Sequence, residues 1–95
     1  MSDKGVLIDF YADWCAPCIA MKKTFADPAV AAAINKAYVP VQLDVSKMNE
    51  ELEGKLRAFD VEKLPALVAL SSDGEEWVRI TDYKAPAELL KLLPH

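Results

Sequence analysis

The run Val6-Leu7-Ile8-Asp9-Phe10-Tyr11 is apolar at odd and even positions alike, interrupted only by Asp9. A strand that carries apolar side chains on both faces needs cover on both sides, which only a sheet sandwiched by helices supplies. Asp9 is then an acid inside a covered strand. The chain has 95 residues, enough for one core and too few for two, so a single domain over residues 1–95 is expected. Its balance of 53% hydrophobic and 27% charged residues is that of a globular chain, and its apolar runs are too short to span a membrane. No membrane contact by this chain is expected.

Helical and extended patterns alternate along the sequence. Pro17 to Lys23 reads as a helix with Cys15 at its N-cap or first turn. Asp27-Pro28 caps and opens a continuation to Ala37, so the segment Cys18 to Ala37 is one broken helix or two. Tyr38 to Val45 reads as a second strand, its proline near the start. Met48, Leu52, Leu56 and Phe59 recur at helical spacing, with Asn49 as a possible cap. Ala66 to Leu70 and Glu76 to Ile80 flank Ser71-Ser72-Asp73-Gly74, a hairpin signal, with Trp77 as a sheet residue. Pro86 to Leu93 closes the chain as a helix whose buried side is Leu89, Leu90, Leu92 and Leu93. The order βαβαββα predicts an α/β fold: a mixed four-stranded sheet, its first two strands parallel, with helices on both faces.

Cys15 and Cys18, the only cysteines, could form a metal clip, a structural staple or a redox centre. The first residues, Met1 to Gly5, carry no apolar export signal, so a cytoplasmic chain is expected; an excised domain of a periplasmic or exported protein is the alternative. Two cysteines in such a chain argue against a disulfide framework. The formal charge of −4, from 11 basic and 15 acidic residues, with the basic residues scattered, argues against nucleic acid as a partner.

Trp14-Cys15-Ala16-Pro17-Cys18 at the exit of a strand, Asp9 inside that strand and Leu64-Pro65 before the third strand together resemble the thioredoxin superfamily, over about Val6 to Leu93. The resemblance implies a minimal thioredoxin fold lacking the usual first strand and helix. "YADWC", "TFADPAV" and Gln42, where ordinary thioredoxins tend to have lysine, are most similar to the C-terminal domain of the DsbD family. Lys22 departs from that pattern, which has an acid one turn after the second cysteine.

The expected activity is thiol-disulfide exchange, with Cys15, Cys18 and Asp9 as catalytic residues. A thiolate at a helix N-terminus is stabilised by free amides and the helix dipole, which makes Cys15 the nucleophile. Cys18, a turn further in, resolves the mixed disulfide, and Asp9, desolvated and without a cationic partner, takes its proton. The bland reading of Asp9 is an acid that satisfies a backbone group or a water. By the resemblance Pro65 is a cis-proline beside the cysteines, and Leu64 offers its backbone to a substrate strand. Trp14 and Tyr11 are the expected apolar rim, although aromatics after a strand also serve as core.

Zinc usually takes four ligands, and one Cys-x-x-Cys with His95 at the very end falls short, leaving only a zinc shared between two copies. No cofactor or metal is expected beyond the redox-active disulfide of Cys15 and Cys18. The Ala-Pro dipeptide resembles that of reducing thioredoxins, so the expected partners are disulfide-bearing client proteins and an upstream dithiol reductant, met by a monomer. Asp60, Asp82 and Lys63, where thioredoxins commonly have glycines, should narrow and charge the groove. The rival from a different class is a peptide-binding module whose cysteines are idle.

Overall fold

The computed structural model describes residues 4–95; Met1, Ser2 and Asp3, part of the export-signal reading, lie outside them. The elements run β1 Gly5–Tyr11, α1 Ala16–Ala26, α2 Pro28–Ala37, β2 Tyr38–Asp44, α3 Glu50–Ala58, β3 Ala66–Leu70, β4 Glu76–Ile80 and α4 Pro86–Leu92. The strands form one sheet in the order β2-β1-β3-β4. β1 runs parallel to β2 and antiparallel to β3, and β3 and β4 form the hairpin. The expected α/β fold with a mixed four-stranded sheet is what the chain adopts.

The broken helix is two helices, and Asp27 explains why. Pro28 has no N–H and pushes the residue before it out of helical conformation; Asp27 accordingly sits at ψ 127. Its N–H donates to Thr24 O at 3.2 Å to close α1. Its carboxylate accepts from the Ala29 and Val30 amides, at 3.0 and 3.3 Å, to open α2. One side chain thus caps two helices.

Strand β1 is apolar on both faces because both are covered. Leu7 packs with Leu67, Ala69 and Ile80 against Met21 of α1, Val30 and Ile34 of α2, and Leu89 and Leu93 around α4. Ile8 and Phe10 pack with Ala66 and Val68 on the opposite face, under Leu56 and Phe59. Of the leucines in and just after α4 only Leu89 and Leu93, one turn apart, are buried; Leu90 is partly buried and Leu92 is exposed, correcting the four-leucine reading. Trp77 lies on β4 as expected, exposed and edge-on to Tyr38 with ring centroids 6.2 Å apart.

Gly5 is required where β1 passes close to its neighbours. A Cβ there would stand 2.2 Å from Leu70 O and 3.2 Å from the Tyr38 ring, and the first contact is with backbone, which moves only if the sheet does. Gly5→Ala is expected to destabilise the fold by about 1–3 kcal/mol, seen as a lower urea midpoint with an unchanged slope.

Candidate active site

Both cysteines sit where β1 hands over to α1. Val45 N donates to Tyr11 O at 2.8 Å, tying the ends of β1 and β2 together, and Cys15 N donates to Ala12 O at 3.2 Å, closing the turn through Asp13 and Trp14. Cys15 is the N-cap of α1, in extended conformation, and its Sγ accepts the Cys18 N–H at 3.3 Å. The two residues are joined in a disulfide with Cα atoms 5.2 Å apart. The first turn of α1 carries no acid, so nothing there competes with the helix dipole for a sulfur anion.

The cysteines form a small buried cluster with Ala12 and Val45, against which Tyr11, Leu52, Leu56 and Leu64 pack. Residue exposure does not tell the two cysteines apart, at 6% for Cys15 and 4% for Cys18; the N-cap position does. Tyr11 is half-buried among these residues, closer to core than to a rim. Trp14 is the opposite, 66% exposed. It lines a groove of about 370 Å³ with Val45, Met48, Leu56, Val61 and Leu64. The Leu64–Pro65 bond is cis, and Pro65 is buried.

Asp9 faces Gln42 across the parallel β1–β2 ladder. Both line a cavity of about 210 Å³ on the α2 side of the sheet, with Leu7, Phe25 and Asn35 among its walls. Burial pushes the Asp9 carboxyl up from its ordinary range to about 6, because a desolvated carboxylate loses the hydration that favours its charge. An amide at Gln42 supplies no charge to oppose that.

Met48 shares the helical spacing of Leu52, Leu56 and Phe59 but lies outside α3. It precedes the Asn49 N-cap, is exposed and lines the groove. Asp60 stands at φ 55, the left-handed region that glycine enters most readily and aspartate tolerates. It lines a neighbouring polar groove of about 810 Å³ beside Arg79 and Glu76, not the Trp14 groove. Lys63 lines both grooves. Asp82 lines neither and pairs with Lys84 at 3.2 Å. The expected narrowing therefore rests on Lys63 alone at the Trp14 groove.

The sequence reading missed Asp44 and Ser46, whose hydrogen bonds reach back to the Asp13–Trp14 turn. The Asp-x-Ser step at the end of β2 is the local signal, since aspartate there bonds a backbone amide two residues on. Lys22, on α1, helps hold the Asp44 carboxyl below its ordinary range, behind the larger effect of the Ser46 hydrogen bonds. Among the described residues no group of three or more His, Cys, Asp and Glu is arranged to hold a metal. His95 places Nε2 3.1 Å from Leu90 O. No described helix is long and apolar enough to cross a membrane.

A family model described as thioredoxin-like matches residues 1–72. A thiol:disulfide interchange protein DsbD of Haemophilus ducreyi is 34% identical over 93 residues, covering 95% of this chain and 16% of that protein. The DsbD of Vibrio vulnificus strain CMCP6 is 37% identical over 91 residues, covering 93% of this chain and 15% of the other. The chain thus spans about one sixth of the curated relatives it matches. Among solved structures, the oxidised C-terminal domain of Neisseria meningitidis DsbD superposes with a TM-score of 0.84 at 27% identity, over 94% of this chain and 77% of that one. A Thermus thermophilus thioredoxin gives 0.78 at 25% identity, over 93% and 69%.

Proposed function

The chain belongs to the thioredoxin-like family, and from that premise we propose that it is a thiol-disulfide oxidoreductase that reduces protein disulfides through Cys15 and Cys18. The observation that carries the reading is Cys15 at the N-cap of α1, its sulfur accepting the Cys18 amide. A thiolate at this place lies against free helix amides, which favours it over the thiol. The names of the relatives, thiol:disulfide interchange proteins, support the same chemistry.

In the forward direction the Cys15 thiolate attacks one sulfur of a client disulfide. The client S–S bond breaks, and the departing client sulfur takes up a proton. Cys18 then gives its proton to Asp9 and attacks Cys15 Sγ, so the mixed disulfide breaks and the second client sulfur leaves to be protonated. The client has gained two electrons and two protons, and the protein holds the Cys15–Cys18 disulfide. An upstream dithiol reductant restores it. A carboxyl with its pKa near 6 is mostly ionised at neutral pH, yet basic enough to accept a proton. Trp14 and Leu64, which share one groove wall, seat the client beside the cysteines, with Pro65 following. Tyr11 supports the cysteine cluster from below.

The chain acts as one domain; all its described strands share one sheet. We place it in an exported setting as part of a longer protein, the alternative to the cytoplasmic expectation. That expectation gains no support from relatives of which this chain covers 15–16%.

An insulin disulfide reduction assay with a dithiol reductant tests the function. The protein is expected to accelerate insulin precipitation and Cys15→Ser to abolish the acceleration. Equal rates with and without Cys15 would favour the module with idle cysteines.

A further inference from the structure

Ser46 lies past the end of β2, outside the Cys-x-x-Cys segment, yet three of its atoms bond the active-site turn or hold the bonds that do. Its hydroxyl donates to Asp44 Oδ1 at 2.5 Å, and its amide donates to the same oxygen at 2.9 Å. The hydroxyl oxygen accepts the Asp13 N–H at 2.8 Å. Its carbonyl accepts the Trp14 Nε1–H at 3.3 Å. A serine hydroxyl has one proton to give. With that proton committed to the Asp44 carboxylate, the lone pairs have a fixed direction and can face the Asp13 amide.

The Ser46 bonds also hold the Asp44 carboxyl below its ordinary range, so it stays an acceptor at neutral pH. The turn after β2 and the turn before α1 are thereby locked to each other, beside the Val45–Tyr11 bond between the strand ends. What this lock holds is an indole with little packing to hold it, since Trp14 is 66% exposed. Its ring nevertheless forms a wall of the groove that also contains Met48 and Leu64. A surface aromatic free to change rotamer would open and close that wall, and ordering it on binding would cost side-chain entropy.

We propose that Ser46 is a positioning residue for client recognition: it fixes the Asp13–Trp14 turn and the Trp14 indole so that the groove beside Cys15 is formed before a protein disulfide arrives. The proposal rests on the reductase reading given above, and it concerns binding of a protein client rather than the sulfur chemistry. Small disulfides that need no groove should not sense it.

The test compares insulin with hydroxyethyl disulfide as oxidants. Ser46→Ala is expected to raise KM for insulin roughly 2- to 10-fold, the worth of a hydrogen bond or so, with kcat and the hydroxyethyl disulfide rate little changed. Ser46→Thr, which keeps the hydroxyl, should restore KM. Trp14→Phe, which keeps a ring but removes the indole N–H, should raise KM by itself, and in Trp14→Ala, which leaves no ring to position, adding Ser46→Ala should raise KM no further. In a Trp77→Phe background, Ser46→Ala should make the remaining Trp14 emission more readily quenched by acrylamide. An equal loss with both oxidants, an unrescued Ser46→Thr, or additive effects of the pair would overturn the proposal. Should Ser46→Ala fail to fold, an unchanged KM in Trp14→Phe overturns it equally. Absence of cysteine-dependent reduction in the unaltered protein would refute the reductase reading, whereas the quenching measurement judges the positioning of Trp14 independently of activity.

Discussion

A Cys18→Ser variant is expected to stop halfway, with a client bound to Cys15 through a mixed disulfide that survives non-reducing electrophoresis. In the unaltered protein the resolving sulfur is three residues away and already within disulfide reach, with 5.2 Å between the Cα atoms. Well-oriented intramolecular attack corresponds to effective molarities of about 10⁵ M or more, which a millimolar external thiol cannot match. Release of the client should therefore slow by at least about 10³-fold and become dependent on the concentration of added thiol. Mass spectrometry of the trapped species should place the bond on Cys15 and identify the client. A bond on any other residue, or rapid release without external thiol, would contradict the assignment of Cys18 as the resolving sulfur. The same variant fished through an extract names the partner chemistry that the protein meets.

Asp9→Asn is expected to stabilise the fold at pH 8 by about 3 kcal/mol, while slowing catalysis. The Asp9 carboxyl titrates near 6 in the folded protein, raised by burial from 3.8, and a shift of about two units corresponds to about 3 kcal/mol. The sign follows from which state holds the proton. Between about pH 4 and pH 6 the folded protein keeps a proton that the unfolded chain has released, so stability falls as pH rises through that window. Above it the full cost of a desolvated carboxylate is present. Asparagine does not titrate, so its advantage should be near zero at pH 4, grow through the window and level off above pH 6. Urea unfolding at pH 4, 6 and 8 measures this, and equal midpoints for the two proteins at pH 8 would show that burial does not penalise the charge.

The same substitution removes the proposed acceptor of the Cys18 proton, and resolution of a preformed mixed disulfide at pH 7 should slow by about 10²-fold. Stopped-flow release of the client thiol reads that step directly. An unchanged rate would remove Asp9 from the proton path and leave it as a destabilising buried acid without a catalytic role.

Much of the architecture was legible because local signals are strong where backbone chemistry is restricted. Asp27-Pro28 marks a helix boundary since proline excludes helical geometry before it. Asp73-Gly74 marks the hairpin since Gly74 must adopt φ 88. The readings that failed involve residues at or just outside an element's end. Leu92 and Met48 fit the helical spacing of their segments. Yet Leu92, the last residue of α4, is exposed while Leu89 and Leu93 take the buried side, and Met48 stands ahead of the Asn49 cap that starts α3. Spacing alone does not say where a helix begins or which part of its apolar face a short sheet can cover. Tyr11 and Trp14, read as one rim, are separated for the same reason: Tyr11 ends a strand and packs beneath the cysteines, while Trp14 stands on a turn and is exposed.

The sequence by itself determined the spacing of the two cysteines, the helix start that favours one of them, and the place of an acid within a strand apolar on both faces, because these depend on residues near one another in the chain. Only the tertiary structure decided what those residues meet. It brings Gln42 opposite Asp9 through the β1–β2 register, and joins Trp14, Met48, Val61 and Leu64 into one groove. It also carries Ser46 back to the active-site turn. Those contacts cross more than thirty residues of chain, and the energy that selects them is burial and hydrogen bonding across a parallel crossover, which no short window of sequence contains.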